Sequence, residues 1–162
     1  MNELETLGIQ IAEESPLAPE VAEMFALSDA HAAALYPAES NHMVGAEELA
    51  EPHVVFCVAR QRGKALGCGA SVLHTEDAGT APYAEIKRMW VQQGARGIGL
   101  GEAILRYLEA ATATRGVRTL RLETGIDSLP ARRLYQKCGY YQIPPFGDYW
   151  DDPLSVFYEK IL

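Results

Sequence analysis

Apolar positions along the chain follow two periods, and the change from one to the other marks the elements. Residues 7–13 alternate, with Ile9 and Ile11 on one side, which predicts a first strand. Pro16 and Pro19 open a stretch in which Val21, Met24, Phe25, Leu27, His31, Ala34 and Leu35 recur at helical spacing. That helix should stop at Tyr36-Pro37. Residues 37–42 read as a polar loop and 46–50 as a short second helix before Pro52. Residues 54–60 and 65–73 flank Gln61-Arg62-Gly63-Lys64, a hairpin signal. A connection over 75–82 leads into a strand from Tyr83 to Val91, and Ala103, Ile104, Leu105, Tyr107 and Leu108 then recur as a helix that Arg115-Gly116 closes. Residues 119–124 alternate as a fifth strand, Pro130 opens a helix over 131–138 that ends at Gly139, and 140–143 and 154–161 read as two last strands around the loop 144–153. Strand, helix and strand in succession make a βαβ unit, so the fourth and fifth strands should run parallel. No repeat and no long linker divides the chain, which predicts one domain over 1–162.

The turn inside that unit is Arg96-Gly97-Ile98-Gly99-Leu100-Gly101. Alternating glycines at the mouth of a helix let backbone N–H groups approach a ligand closely, and the helix N-terminus adds its positive dipole end, so the turn predicts an anion cradle. It is not a P-loop, because Gly101 is followed by Glu102 and Ala103 rather than Lys and Ser or Thr. A dinucleotide fingerprint would need glycine at Glu102 or at Ile104. The pattern that remains is R-x-x-G-x-G, at Arg96, Gly99 and Gly101, directly after a strand.

Composition narrows the partners. A chain of 162 residues, 48% hydrophobic and 22% charged, suits a globular domain with one core. A net charge of −8 argues against a general nucleic-acid surface, although Arg115, Arg118, Arg121, Arg132, Arg133 and Lys137 concentrate after the turn, where a polyanion would need them. No apolar run approaches the ~20 residues of a membrane span. The start Met1-Asn2-Glu3-Leu4-Glu5 lacks the basic opening of a signal peptide, so the expectation is no membrane and a cytoplasmic protein. Cys57, Cys68 and Cys138 have no paired spacing and read as free thiols. His31, His42, His53 and His74 are scattered, and no metal site is expected.

With its turn, the strand ending Met89-Trp90-Val91 and the segment Ala131-Arg132-Arg133-Leu134-Tyr135-Gln136-Lys137-Cys138-Gly139-Tyr140, the chain resembles the GNAT superfamily of acetyl-coenzyme A dependent N-acetyltransferases. Residues 36–42 and the tail Pro145-Phe146-Gly147-Asp148-Tyr149 with Asp152-Pro153-Leu154-Ser155-Val156-Phe157 are similar to a bacterial subgroup of it. The resemblance implies an α/β fold: a mixed, mostly antiparallel sheet of six to seven strands with a parallel fourth and fifth pair, flanked by about four helices. It implies acetyl-CoA as cosubstrate, held by Met89, Trp90, Val91, Arg96, Gly97, Ile98, Gly99, Leu100, Gly101, Glu102, Ser128 and Lys137. Ser128 is a departure, since the superfamily often carries Asn there, three positions before the alanine.

Acetyl transfer to a primary amine needs a base, because an alkylamine of pKa ~10 is mostly protonated at neutral pH. Glu85 lies among Ile86, Met89 and Val91, where desolvation would raise a carboxylate's pKa, and it occupies the position of the superfamily's catalytic glutamate. Tyr135 matches the superfamily's tyrosine, a phenol able to give a proton to a departing thiolate. A backbone N–H near Trp90 or Val91 would polarise the thioester carbonyl. Tyr36, Asn41, His42, Arg88 and Tyr149 form the expected acceptor set. The expected reaction is direct attack in a ternary complex on a small-molecule amine. A non-catalytic acyl-CoA binding or sensing module and a protein lysine acetyltransferase are the alternatives, and a homodimer is an open option.

Overall fold

The computed structural model describes residues 2–75 and 79–162. Of the connection expected over 75–82, residues 76–78 lie outside the described residues, as does Met1. In chain order the elements are α1 (Glu3–Thr6), β1 (Ile9–Glu13), α2 (Pro19–Leu35), α3 (Ala46–Leu49), β2 (Val54–Gln61), β3 (Lys64–His74), β4 (Tyr83–Val91), α4 (Leu100–Thr114), β5 (Thr119–Gly125), α5 (Leu129–Lys137), β6 (Tyr141–Ile143) and β7 (Ser155–Ile161). The strands form a seven-stranded sheet in the order β1-β2-β3-β4-β5-β7-β6. Among the described residues only β4 and β5 pair in parallel. The expected mixed α/β sheet is therefore present, with one α-helix more than expected. That extra helix, α1, is a single turn with a capping box: Asn2 accepts from the Glu5 N–H, and Glu5 accepts from the Asn2 N–H.

Both faces of the sheet are covered, and the alternation of each strand divides its residues between two cores. On β2, Val55, Cys57 and Ala59 face the layer holding α4 and α5, while Val54, Phe56 and Val58 face α2 and α3. A run apolar at every position is thus a strand buried on both sides. Ile104, Leu105 and Leu108 of α4 are fully buried against the first core and contribute about 2 kcal/mol each. Val21, Met24 and Phe25 of α2 close the second. Among the described residues no helix is long and apolar enough to cross a membrane.

Glu109 of α4 is buried where α4 meets β7. It accepts from the Tyr140 hydroxyl at 2.9 Å and pairs with Lys160 at 3.0 Å and Arg106 at 3.2 Å. Replacing it by Ala leaves the Tyr140 hydroxyl and the Lys160 ammonium without their partner. Unfolding in urea should show a loss of about 2 kcal/mol, with cofactor affinity unchanged.

Two features of β4 open the middle of the sheet. Arg88 has φ +56, rare for a residue with a side chain, and the β3–β4 register shifts there: Cys68 pairs with Trp90 but Ala70 with Lys87. This is a β-bulge, which bends its strand and re-aims the residues beyond it. In addition, β4 and β5 pair only at Ala84 with Leu120 and at Glu85 with Arg121, after which no pairing is made. The two strands part in mid-sheet.

Candidate active site

The parting of β4 and β5 opens a cleft of about 560 Å³. Ile86 to Val91 form one wall, Glu123 to Gly125 the other. The C-terminal half of α2 and residues 40–43 bound one end; Gly101 with Ala131, Leu134 and Tyr135 of α5 bound the opposite side.

At the α4 end, Gly97 (φ +86) and Gly99 (φ +83) hold left-handed backbone that other residues rarely adopt. That conformation turns the chain so that α4 starts with no side-chain cap on Gly99. Six consecutive backbone N–H groups, Gly97 to Glu102, donate to nothing among the described residues. Such groups at a helix N-terminus suit a phosphate, and the donor set fits the pyrophosphate of a coenzyme A. Arg96 lies over the Trp90 ring, 4.9 Å from its centroid, and bonds the Val91 carbonyl at 3.0 Å, which braces the turn against β4. Leu100 is buried in the core beneath. Glu102 and Lys137 are paired with each other at 3.1 Å on the outer rim, and Lys137 holds the Glu102 carboxyl below its ordinary range.

Alternation places Glu85 and Lys87 of β4, and Arg121 and Glu123 of β5, on one face of the sheet. Glu85 and Arg121 form the last parallel pair, so Lys87 and Glu123 flank the opening. Glu85 is 7% exposed and does not line the cleft. Its Oε2 accepts from the Tyr149 hydroxyl and pairs with Lys87 Nζ at 3.2 Å. Lys87 also donates to the Tyr149 hydroxyl at 2.6 Å and to the His42 carbonyl at 3.3 Å. Tyr149 sits behind the wall with Glu85, its phenol pushed up by burial and then by the Glu85 charge.

Glu123 was not anticipated, because the alternation of 119–124 reads as sheet packing alone. The signal was a carboxylate on the half-buried face of a central strand whose other face, Leu120 and Leu122, packs in the core. Its Oε2 accepts from the Ser155 hydroxyl at 2.7 Å, while Oε1 has no partner among the described residues and opens on the cleft. Burial raises the Glu123 carboxyl above its ordinary range, against the pull of the Ser155 hydrogen bond and the nearby His42 and Lys87. Tyr135, 6% exposed, faces the cleft from α5. Its hydroxyl has no hydrogen-bond partner among the described residues. Burial, then the Glu123 charge, hold the phenol above its usual range.

Of the expected acceptor set, Tyr36, Asn41, His42 and Arg88 line the cleft. The Arg88 guanidinium is committed to other partners, with Nε on the Val44 carbonyl at 2.8 Å, Nη1 on Asp29 at 2.5 Å and the group over Phe25. The Tyr36 hydroxyl crosses to the opposite wall, 3.0 Å from Ser128 Oγ, and accepts from the Asp127 N–H at 3.1 Å. Ser128 thus meets Tyr36 from within the cleft lining. Behind this bridge, Ser40 donates to the buried Asp152 at 2.6 Å, which joins residues 36–42 to the tail. Met89, Trp90 and Val91 line the wall between the two ends.

The family model described as the acetyltransferase (GNAT) family matches residues 20–140. The chain is 42% identical over 155 residues to the IAA acetyltransferase of Azospirillum brasilense, covering 96% of this chain and 99% of that one. It is 36% identical to the uncharacterized N-acetyltransferase YsnE of Bacillus subtilis, over 78% and 82% of the two chains. A crystal structure from Klebsiella pneumoniae, described as that of a candidate acyl-CoA N-acyltransferase, superposes with a TM-score of 0.78 at 35% identity, covering 95% and 97%.

Proposed function

Because the chain belongs to the acetyltransferase (GNAT) family, we propose that it moves an acetyl group from acetyl-CoA to a primary amine by direct attack in a ternary complex. One observation carries this reading. A cleft bordered by Gly101, one of six residues at the start of α4 whose N–H groups have no partner among the described residues, passes through the parting of β4 and β5 to a cluster of ionisable side chains. The pyrophosphate would rest on the N–H groups of Gly97 to Glu102, with Arg96, Ser128 and Lys137 near it, and the pantetheine arm between Met89, Trp90, Val91 and the β5 wall. When bound, acetyl-CoA supplies an acetyl thioester whose carbonyl carbon is the electrophile.

The chain's own residues then manage two protons. Glu123 faces the cleft with a free oxygen, so it takes the proton that the ammonium must lose as the N–C bond forms. Its raised pKa suits that exchange better than an ordinary carboxylate. Tyr135 holds a proton for the sulfur as the C–S bond breaks. Glu85, expected from the sequence as the base, holds Lys87 and Tyr149 in this reading and acts on the amine only through them. IAA, which the Azospirillum brasilense relative carries in its name, belongs in any acceptor panel.

A thiolate of pKa ~8.5 leaves without much help, so Tyr135→Phe should lower kcat about 30-fold rather than abolish it. Acetyl-CoA affinity, measured by titration calorimetry, should stay within about twofold of the original. Absence of any binding heat at millimolar acetyl-CoA would sink the cofactor reading, and an unchanged kcat in the variant would sink the role of Tyr135.

A further inference from the structure

The charges lining the cleft are unequally spent, and the imbalance bears on which amines enter. Three lysine or arginine side chains line it: Lys87, Arg88 and Arg96. The Lys87 ammonium is ion-paired with Glu85 and donates to the Tyr149 hydroxyl and to the His42 carbonyl. Arg88 is committed to Asp29 and the Val44 carbonyl. Arg96 stands at the glycine turn, stacked on Trp90 and bonded to the Val91 carbonyl. The carboxylates are in the opposite condition. Glu123 keeps Oε1 free, and Asp127 has neither an ion pair nor a side-chain hydrogen bond among the described residues. The remaining cation candidates, His31 and His42, have their rings against Trp90 and Tyr149.

Resting on the transferase reading above, we infer that the acceptor is an amine without a neighbouring carboxylate, its ammonium drawn to Glu123, and that α-amino acids are excluded. An ammonium entering beside Glu123 finds a partner for its charge. The carboxylate of an amino acid, two bonds from the same nitrogen, finds Glu123 and Asp127; Lys87 and Arg88 are committed, and Arg96 is stacked on Trp90 beside the glycine turn that would hold the pyrophosphate. Bringing such a group out of water unpaired is a large penalty, and discrimination arises from the unpaired charge as much as from the favourable contact.

The test uses matched series that change the carboxylate and little else: phenylalanine, its methyl ester and phenethylamine, then valine, its methyl ester and isobutylamine. Free-thiol release from acetyl-CoA is followed at pH 8. The amine and the ester should each exceed the parent amino acid in kcat/KM by about 100-fold in at least one series. The amine removes the carboxylate without making the nitrogen easier to deprotonate, while the ester keeps the bulk but lowers the ammonium pKa, so its kcat/KM is compared per free base. In Glu123→Gln the residual KM for the amine should rise about tenfold while that for the amino acid should not. Amino acids acetylated as well as their esters would overturn this inference and leave the transferase standing. Acetyl-CoA binding without thiol release in either series would overturn transfer to amines, and the inference with it.

Discussion

Replacing Glu123 by Gln should lower kcat about a thousandfold, within the range removal of a general base produces, while acetyl-CoA affinity stays near its original value. The amide matches the carboxylate in shape and can still engage the Ser155 hydroxyl, so the loss reports on proton transfer rather than on packing. Glu85→Gln should cost only about tenfold, through a loosened Lys87 and Tyr149. The pH profile adds a sign. A carboxylate takes a proton only when ionised, so kcat/KM should fall as pH drops through the Glu123 pKa, which burial has raised above the ordinary glutamate range. That acid limb should vanish in Glu123→Gln. If the thousandfold loss and the missing limb appear in Glu85→Gln instead, the base lies on β4, where the sequence pattern put it.

Gly125→Ala should be the most damaging small substitution outside the catalytic groups. A Cβ on Gly125 would overlap the Tyr36 hydroxyl, which is fixed by Ser128 Oγ and the Asp127 N–H. Tyr36 is 9% exposed and cannot swing aside without giving up both contacts. Overpacking of this kind costs up to ~3 kcal/mol, and urea unfolding should show a loss near that limit. The same displacement lifts the bridge between α2 and the β5 wall, so the acceptor KM should rise as well. In a Tyr36→Ala background, which lacks both the hydroxyl and the ring carbons Cζ and Cε2 that the Cβ would also overlap, Gly125→Ala should cost little, recovering most of that loss. No recovery would mean that the clash lies elsewhere.

How much the residues reveal on their own depends on how local each cause is. The turn at Arg96, Gly99 and Gly101 was legible because the positive φ that glycine permits and the start of α4 are set by adjacent residues. The parallel β4–β5 pair followed from a strand, a helix and a strand in succession. The bulge at Arg88 was not legible, since the left-handed backbone falls on an arginine inside a well-formed strand pattern and is imposed by the β3 register. The Glu85, Lys87 and Tyr149 corner joins residues 64 positions apart and depends on how the tail folds back, which no periodicity reports. Glu123 was hidden differently, by an alternation that explained its neighbours Leu120 and Leu122 so well that it left the carboxylate between the two walls unremarked. The one-turn helix α1 did have a signal, Asn2 with Glu5 three residues on, in a stretch too short to show a helical period.

Every assigned role presupposes that an acetyl group passes directly between two ligands held in one cleft. Acetyl-CoA labelled in the acetyl group, incubated with the protein and phenethylamine and then analysed by mass spectrometry, tests that most directly. The expected result is label in the amide, one free thiol per amide formed, and no label on the protein when the amine is left out. Labelled protein under that last condition, on Cys138 or any other residue, would contradict direct attack.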